Sequence, residues 1–154
     1  MAYKRPESVL VVIYEQETGR VLMLQRRDDP AFWQSVTGSL EAAETPQQAA
    51  VREVKEETGI DIIAEQLQLT DCQRTVCYTI FPHFRHRYAP AVTHNTEHWF
   101  MLRLPAPRAV PLTEHLAYEW LPAEDAAGKT ISPSNGDAIE EFVCQSGTGG
   151  VHTV

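Results

Sequence analysis

Glu53, Glu56 and Glu57 crowd a short stretch of the chain, with Arg52 directly before them and Gly38 and Glu44 upstream. On an α-helix, at about 100° per residue, Glu53 and Glu57 lie one turn apart on one face, and Glu56 sits about 60° to the other side of Glu53. Such a sector repels itself, each like-charged pair costing about a few tenths of a kcal/mol. A hard divalent cation turns the repulsion into a ligand set, since Mg2+ and Mn2+ take oxygen donors and complete their shell with water and substrate phosphate. Arg52 borders the sector and can grip a loop carboxylate such as Glu44 through both arms of its guanidinium. The plainer reading of the same residues is a solvated helix face, with Arg52 and Glu56 as an ordinary i,i+4 pair.

That chemistry needs a helix, and the sequence marks both of its ends. Thr45 is a good N-cap, Gln48 completes a capping box, and Pro46 takes the first helical position, where its missing N–H costs nothing. Gly59 offers the left-handed residue that stops a helix, and Ile60 the apolar contact after it. The helix is therefore predicted over Pro46 to Thr58. Upstream, Phe32 to Gly38 reads as a short strand, so a strand end delivers Gly38 to a helix N-terminus, a common way to build a phosphate site.

With the loop included, Gly38, Glu44, Arg52, Glu53, Glu56, Glu57 and Gly59 follow the pattern glycine, five residues, glutamate, seven residues, Arg-Glu-apolar-x-Glu-Glu-x-Gly-apolar, with Val54 and Ile60 in the apolar places. The stretch resembles the signature box of the Nudix hydrolases at every defining position. It departs at Ala43, where many members have glycine; that stiffens the loop without removing a ligand. The resemblance implies an α/β/α sandwich with a mixed β-sheet, and cleavage of a diphosphate linked to another moiety. It implies Mg2+ as cofactor, with Mn2+ able to substitute, held by Glu53 and Glu57, with Glu56 close by and the Gly38 carbonyl as a further oxygen. Arg52 and Glu44 join the catalytic set. Nudix enzymes draw the base from the box or from a later loop, which leaves Glu56 and Glu114 as candidates; Glu114 could instead complete the metal site.

Beyond the box, the segments YKRP, VLMLQRRDDP, FWQSVTGS, DCQRTV, FRHRYAP and TEHLAYEWL are similar to a bacterial branch of the family. That branch removes diphosphate from 7,8-dihydroneopterin triphosphate and leaves the monophosphate, an early step in folate synthesis. The similarity implies substrate contacts at Lys4, Arg26, Thr37, Tyr78, Thr79, Ile80, Phe81 and Ser132, although each alone also fits a structural role. Phe32 or Trp33 could stack on a bicyclic ring, and Trp33 fits the core equally well. Two alternatives stand beside this reading. One is a house-cleaning (d)NTP pyrophosphatase, for dATP or an oxidised guanine nucleotide. The other is a non-catalytic Nudix-fold nucleotide-binding module, against which the intact glutamates argue.

Composition narrows the setting. A chain of 154 residues suits one domain, expected over residues 1–145, with the Gly-rich end from 146 to 154 as a flexible tail. The net charge of −8 argues against binding a nucleic-acid polymer through its phosphates, and no apolar run is long enough for a membrane span. Cys72, Cys77 and Cys144 are odd in number and lack metal-ligand spacing, so a reducing cytoplasmic location is expected; the family resemblance implies a small-molecule triphosphate as the partner, and a monomer is expected. Within this acidic chain, residues 82–90 (PHFRHRYAP) form a local basic patch, read either as a phosphate or ring contact or as an exposed loop. His83, His86, His94 and His98 are poorly spaced for zinc.

The remaining elements follow from periodicity. Ser8 to Tyr14 is a continuous apolar run fit for an interior strand, and Arg20 to Arg26 pairs with it as a hairpin. Strands are also predicted over Asp61 to Leu69, Gln73 to Phe81, Glu97 to Leu104 and Thr113 to Leu121. A short turn of helix is predicted over Pro122 to Ala127, and a last helix over Gly136 to Cys144, capped by Ser134 or Asn135.

Overall fold

The apolar run at the start of the chain becomes the middle of the sheet. In the computed structural model, which describes residues 3–144, strand β1 (Glu7–Glu15) pairs parallel with β6 (His94–Leu104) along its whole length. It also pairs antiparallel with β4 (Val36–Ser39) and, at Tyr14↔Val21, with β2 (Val21–Arg26). The sheet has seven strands in the order β3-β2-β1-β6-β5, with β4 on β1 and β7 (His115–Leu121) on β2; β3 is Trp33–Gln34 and β5 is Gln68–Thr79.

Alternate residues of β1 face opposite layers. Val9, Val11 and Ile13 pack with Ala49, Ala50 and Val54 of helix α1 (Pro46–Thr58). Leu10 and Val12 pack with Ala126 of α2 (Ala123–Lys129) and with Ala138 and Ile139 of α3 (Pro133–Ile139). A strand covered on both faces has no need of polar alternation, which is why this run is uniformly apolar. The mixed sheet between helices is the expected α/β/α sandwich.

Helix α1 has the predicted bounds. Thr45 accepts from the Gln48 amide at 3.2 Å, the Gln48 side chain accepts from the Thr45 amide at 2.9 Å, and Gly59 closes the helix at φ 77° with its N–H on the Lys55 carbonyl. Both ends are therefore fixed by local chemistry, before any tertiary contact.

Other boundaries move. The segment after Gly59 is a turn, not a strand: Asp61 accepts from the Ala64 amide at 3.0 Å, and Gln66 takes φ 54°. An aspartate that folds back on its own backbone outcompetes the apolar pattern. Strand β5 starts only at Gln68, and it kinks where Gln73 adopts φ 54° over the Asp71 side chain. The strand read over Phe32 to Gly38 is split into β3 and β4, and Pro82–Arg87 winds into a 3₁₀ helix. Helix α3 starts earlier than predicted: Ser132, not Ser134 or Asn135, is the cap, accepting from the Asn135 amide at 3.3 Å with Pro133 in the first position. A π-helical turn, Glu140–Cys144, continues it. The proposed tail, 146–154, lies outside the described residues. Among the described residues no helix is long and apolar enough to cross a membrane.

Asn135 has a different task. Its amide oxygen accepts from the Ser35 N–H at 2.8 Å, and its nitrogen donates to the Ser35 hydroxyl at 3.0 Å. This buried two-bond clasp ties α3 to the chain between β3 and β4.

Candidate active site

A cavity of about 880 Å³ opens where β1, β4, the N-terminal segment and the start of α3 meet α1. Glu53, Glu56 and Glu57 line it from α1, and Glu114 lines it from the turn before β7. Glu57 is 4% exposed, and its Oε1 has no hydrogen-bond partner. Burial pushes its carboxyl well above the ordinary value of 4.5; the charge of Glu53, a shared hydrogen bond with Glu53 and the charge of Glu114 push the same way, while the Thr37 amide opposes them. Glu53 is raised too, chiefly by burial, with Arg52 pulling against the shift. Two acids sharing a hydrogen bond, one turn apart and out of water, mark negative charge that the protein alone does not balance.

Gly38 explains how Glu53 fits. A β-carbon added at Gly38 would lie 1.9 Å from Glu53 Oε2, so the glutamate occupies the place of the missing side chain. Arg52 arranges the rest. It holds Glu44 through two bonds of 2.7 and 2.9 Å, reaches Glu53 at 3.0 Å and Glu56 at 3.3 Å, and donates to the Ser39 carbonyl at 3.0 Å. The Glu44 carboxyl is held below its ordinary range by that fork. Glu44 positions Arg52 rather than lining the cavity.

The donors fit a hard divalent cation. All are oxygens, one buried carboxylate oxygen is unpartnered, and the Gly38 backbone abuts Glu53. Arg52 bridges Glu53 and Glu56, and among the described residues no three such groups are already drawn into a metal cage. When bound, a cation would supply charge neutralisation and an acidified water at Glu53 and Glu57.

Opposite in sign is a second set, Lys4, Arg26 and Arg87. The Lys4 ammonium is pulled below its ordinary value, first by desolvation and then by the charges of Arg87 and Arg26. Asp28 accepts from Arg26 at 2.8 and 2.7 Å and also from Arg87, and the two guanidinium groups hold its carboxyl far below the usual range. Arg26 lies 4.4 Å over the Phe84 ring and 5.4 Å from that of Phe32. The 3₁₀ helix is pinned to the N-terminal segment by the Lys4 N–H on the Arg87 carbonyl, 2.9 Å. The basic segment is thus folded against the cavity, and Phe32 rather than Trp33 faces it; Trp33 sits under Lys129 at 4.6 Å.

Thr37, Tyr78, Thr79, Ile80, Phe81 and Ser132 also line the cavity. Several of their polar groups are already engaged. The Thr37 hydroxyl donates to the Val9 carbonyl at 2.9 Å, Thr79 meets His94 at 3.2 Å, and Ser132 caps α3. Cys72, Cys77 and Cys144 are free thiols. His83 pairs with Asp29 and His98 with Glu7, so these histidines do not converge.

Sequence reasoning missed Asn95, Glu97 and His115. His115 is 6% exposed and 3.7 Å from Glu57, and burial, then the charge of Arg26, shifts its ring below the ordinary value of 6.5. Glu97 is 3% exposed at the start of an apolar strand. Among the polar residues His94, Thr96 and His98 of the same strand end, the sequence carries no signal that singles Glu97 out.

The chain matches a NUDIX domain over residues 4–142. It is 68% identical over 141 residues to the dihydroneopterin triphosphate diphosphatase of Escherichia coli strain K12, covering 92% of this chain and 94% of that one. It is 48% identical over 143 residues to the enzyme of the same name from Haemophilus influenzae, covering 93% and 90%. The solved structure of the E. coli dihydroneopterin triphosphate pyrophosphohydrolase superposes with a TM-score of 0.93 at 66% identity, covering 95% of this chain and all of the other. With the glutamate-rich helix, its loop glycine and Arg52 in place, the chain belongs to the Nudix hydrolases, a family that generally works with a divalent metal.

Proposed function

We propose that this protein hydrolyses 7,8-dihydroneopterin triphosphate to the monophosphate and diphosphate, with Mg2+ as its cation and Mn2+ able to replace it, as a cytoplasmic monomer. The observation that carries this reading is 68% identity to a relative of that activity across 92% of the chain.

The chain's own residues fit the task. Water adds across the linkage between the first and second phosphates; one P–O bond forms, one breaks, and diphosphate leaves with the electron pair. The triphosphate brings several negative charges, and Lys4, Arg26 and Arg87 meet them from one side of the cavity. Glu53 and Glu57 would hold the cation, with the Gly38 carbonyl as a further oxygen donor. Arg52, fixed by Glu44, keeps the helix and its loop in register. Glu56 and Glu114 are the candidate bases for the attacking water, and Glu114 alternatively completes the cation site. Phe32, Phe81 and Phe84 give the cavity apolar surface for a ring.

The test is a substrate panel. Purified protein with Mg2+ releases diphosphate from dihydroneopterin triphosphate with a higher kcat/KM than from any common dNTP. A reversed ranking assigns the protein to nucleotide clearance, and no release from any triphosphate assigns it to binding without turnover.

A further inference from the structure

Beyond the carboxylates of α1, the cavity holds a second buried acid. Glu97 stands on β6 between Asn95 and Trp99, and these alternate residues share one face of the strand. Trp99 and Met101 continue that face into the core against α3. The groups that hold Glu97 are all neutral: Trp99 Nε1 donates at 3.0 Å, and the Ser134 and Tyr78 hydroxyls also bond to it. A carboxylate accepts about four hydrogen bonds, so these leave capacity unused. Asn95 is 1% exposed and lines the same cavity; its nitrogen donates to Ser8 at 2.7 Å and to Tyr78 at 3.1 Å, while its oxygen has no partner.

Glu15 shows what a purely structural acid looks like in this fold. It is fully buried at the β1–β2 turn and takes the amides of Thr18 at 2.7 Å and Arg20 at 3.0 Å, together with the Thr18 hydroxyl. It closes a hairpin and does not border the cavity. Glu97 and Asn95 instead bring unused acceptor capacity to a space large enough for a bicyclic ring.

We infer that Glu97, with the Asn95 amide oxygen beside it, recognises the donor edge of the substrate's ring, the amino group and adjacent ring N–H common to pterins and guanine. Adenine sets a ring-nitrogen lone pair next to its amino group, and that lone pair would face a carboxylate and be repelled. Glu97 is then a specificity-determining residue: it selects the ring, while the α1 glutamates serve the phosphates. A site built to accept hydrogen bonds rejects an analogue that cannot give them. The inference rests on the reading of the cavity as a site for a ring-bearing triphosphate.

The experiment compares wild type with Glu97→Gln on dGTP and dATP, and measures phosphate-free neopterin binding by fluorescence anisotropy. The kcat/KM ratio of dGTP over dATP falls at least about tenfold, and neopterin binds at least about tenfold more weakly. A merely structural residue would lower both nucleotides alike, so an unmoved ratio with unmoved neopterin binding overturns the inference. Should the glutamine variant fail to fold, Glu97→Asp keeps the charge, withdraws the oxygens by one methylene and reads out the same ratio. A collapse of the ratio in a protein whose wild type prefers common dNTPs to the pterin triphosphate sinks the proposed function and leaves the ring-edge assignment standing. Preference for the pterin triphosphate with an unmoved ratio does the reverse.

Discussion

Gly38 and Glu53 share one volume: the carboxylate of Glu53 sits where residue 38 would carry a β-carbon, 1.9 Å from Oε2. The loop glycine is thus a packing partner of the helix glutamate, and its role is space rather than flexibility. Gly38→Ala evicts the carboxylate from its seat. Turnover falls about hundredfold, as expected for displacing a reacting group by roughly 1 Å, and Mg2+ affinity by calorimetry weakens with it. Wild-type turnover in this variant would show that Glu53 does not need that seat.

Removing the charge at Glu57 separates stability from chemistry. Glu57→Gln lowers kcat by roughly a thousandfold, yet the metal-free protein melts higher than wild type, because a buried charge facing Glu53 has gone. A lower Tm in the absence of metal would contradict the electrostatic account.

The pH dependence has a definite sign. The carboxyls of Glu53, Glu57 and Glu97 are raised in the folded protein above the ordinary 4.5. Folding therefore favours their protonated forms; the contribution is complete below about that value and is lost as pH rises through the folded values. Asp28, Glu44 and Glu7 are shifted the other way, and their contributions vanish only as pH drops below their ordinary range. His115, lowered by burial, adds a contribution that grows as pH rises to about 6.5, so metal-free protein should lose Tm between about pH 6.5 and 8, and saturating Mg2+ should raise Tm more at about pH 8 than at about pH 5.5. Glu57→Gln should flatten the slope. A Tm that climbs toward pH 8 without metal would reverse the assignment.

Arg87 offers a test of the basic side. Arg87→Ala removes one of the cationic groups lining the cavity, while Asp28 stays held by Arg26. KM for the triphosphate rises by about tenfold or more with a smaller change in kcat. An unchanged KM would place Arg87 outside the substrate's reach.

Ala43 sits at φ 62°, in the left-handed region that an L side chain enters at a cost of about 1 kcal/mol. Ala43→Gly relieves that strain but loosens the unfolded chain, worth roughly 0.4–1 kcal/mol the other way. The net change in Tm is small, and the benefit appears in the loop itself as faster amide exchange at Glu44. A marked drop in Tm would mean the Ala43 methyl makes contacts that outweigh its backbone strain.

How far the chain could be read follows from how local each signal is. Helix α1 is written in its own residues, Thr45, Pro46, Gln48 and Gly59, so its bounds and its acidic face were legible. The central strand was legible because burial on both faces leaves only apolar residues. Ser132-Pro133 carried the same cap-and-proline signal as Thr45-Pro46, yet Ser134 and Asn135 competed with it, and only the buried clasp to Ser35 shows where Asn135 goes. Asp61 hid a turn inside an apolar stretch. Glu97 was opaque for a different reason: its burial is made by β1, β5 and α3, far away in sequence, and an acid in an amphipathic strand looks like a solvent-facing residue until its neighbours are in place.

The Ser35–Asn135 clasp also sets an order of events during synthesis. Everything up to Leu121 can emerge from the ribosome and fold its sheet, with the acidic helix already formed. The wall made by Ser132 and Ser134 follows that sheet in the chain and is tied to it by the Asn135 amide. A chain stopped after Leu121 would therefore carry the acidic helix and Glu97 but lack the Ser132–Ser134 side of the cavity.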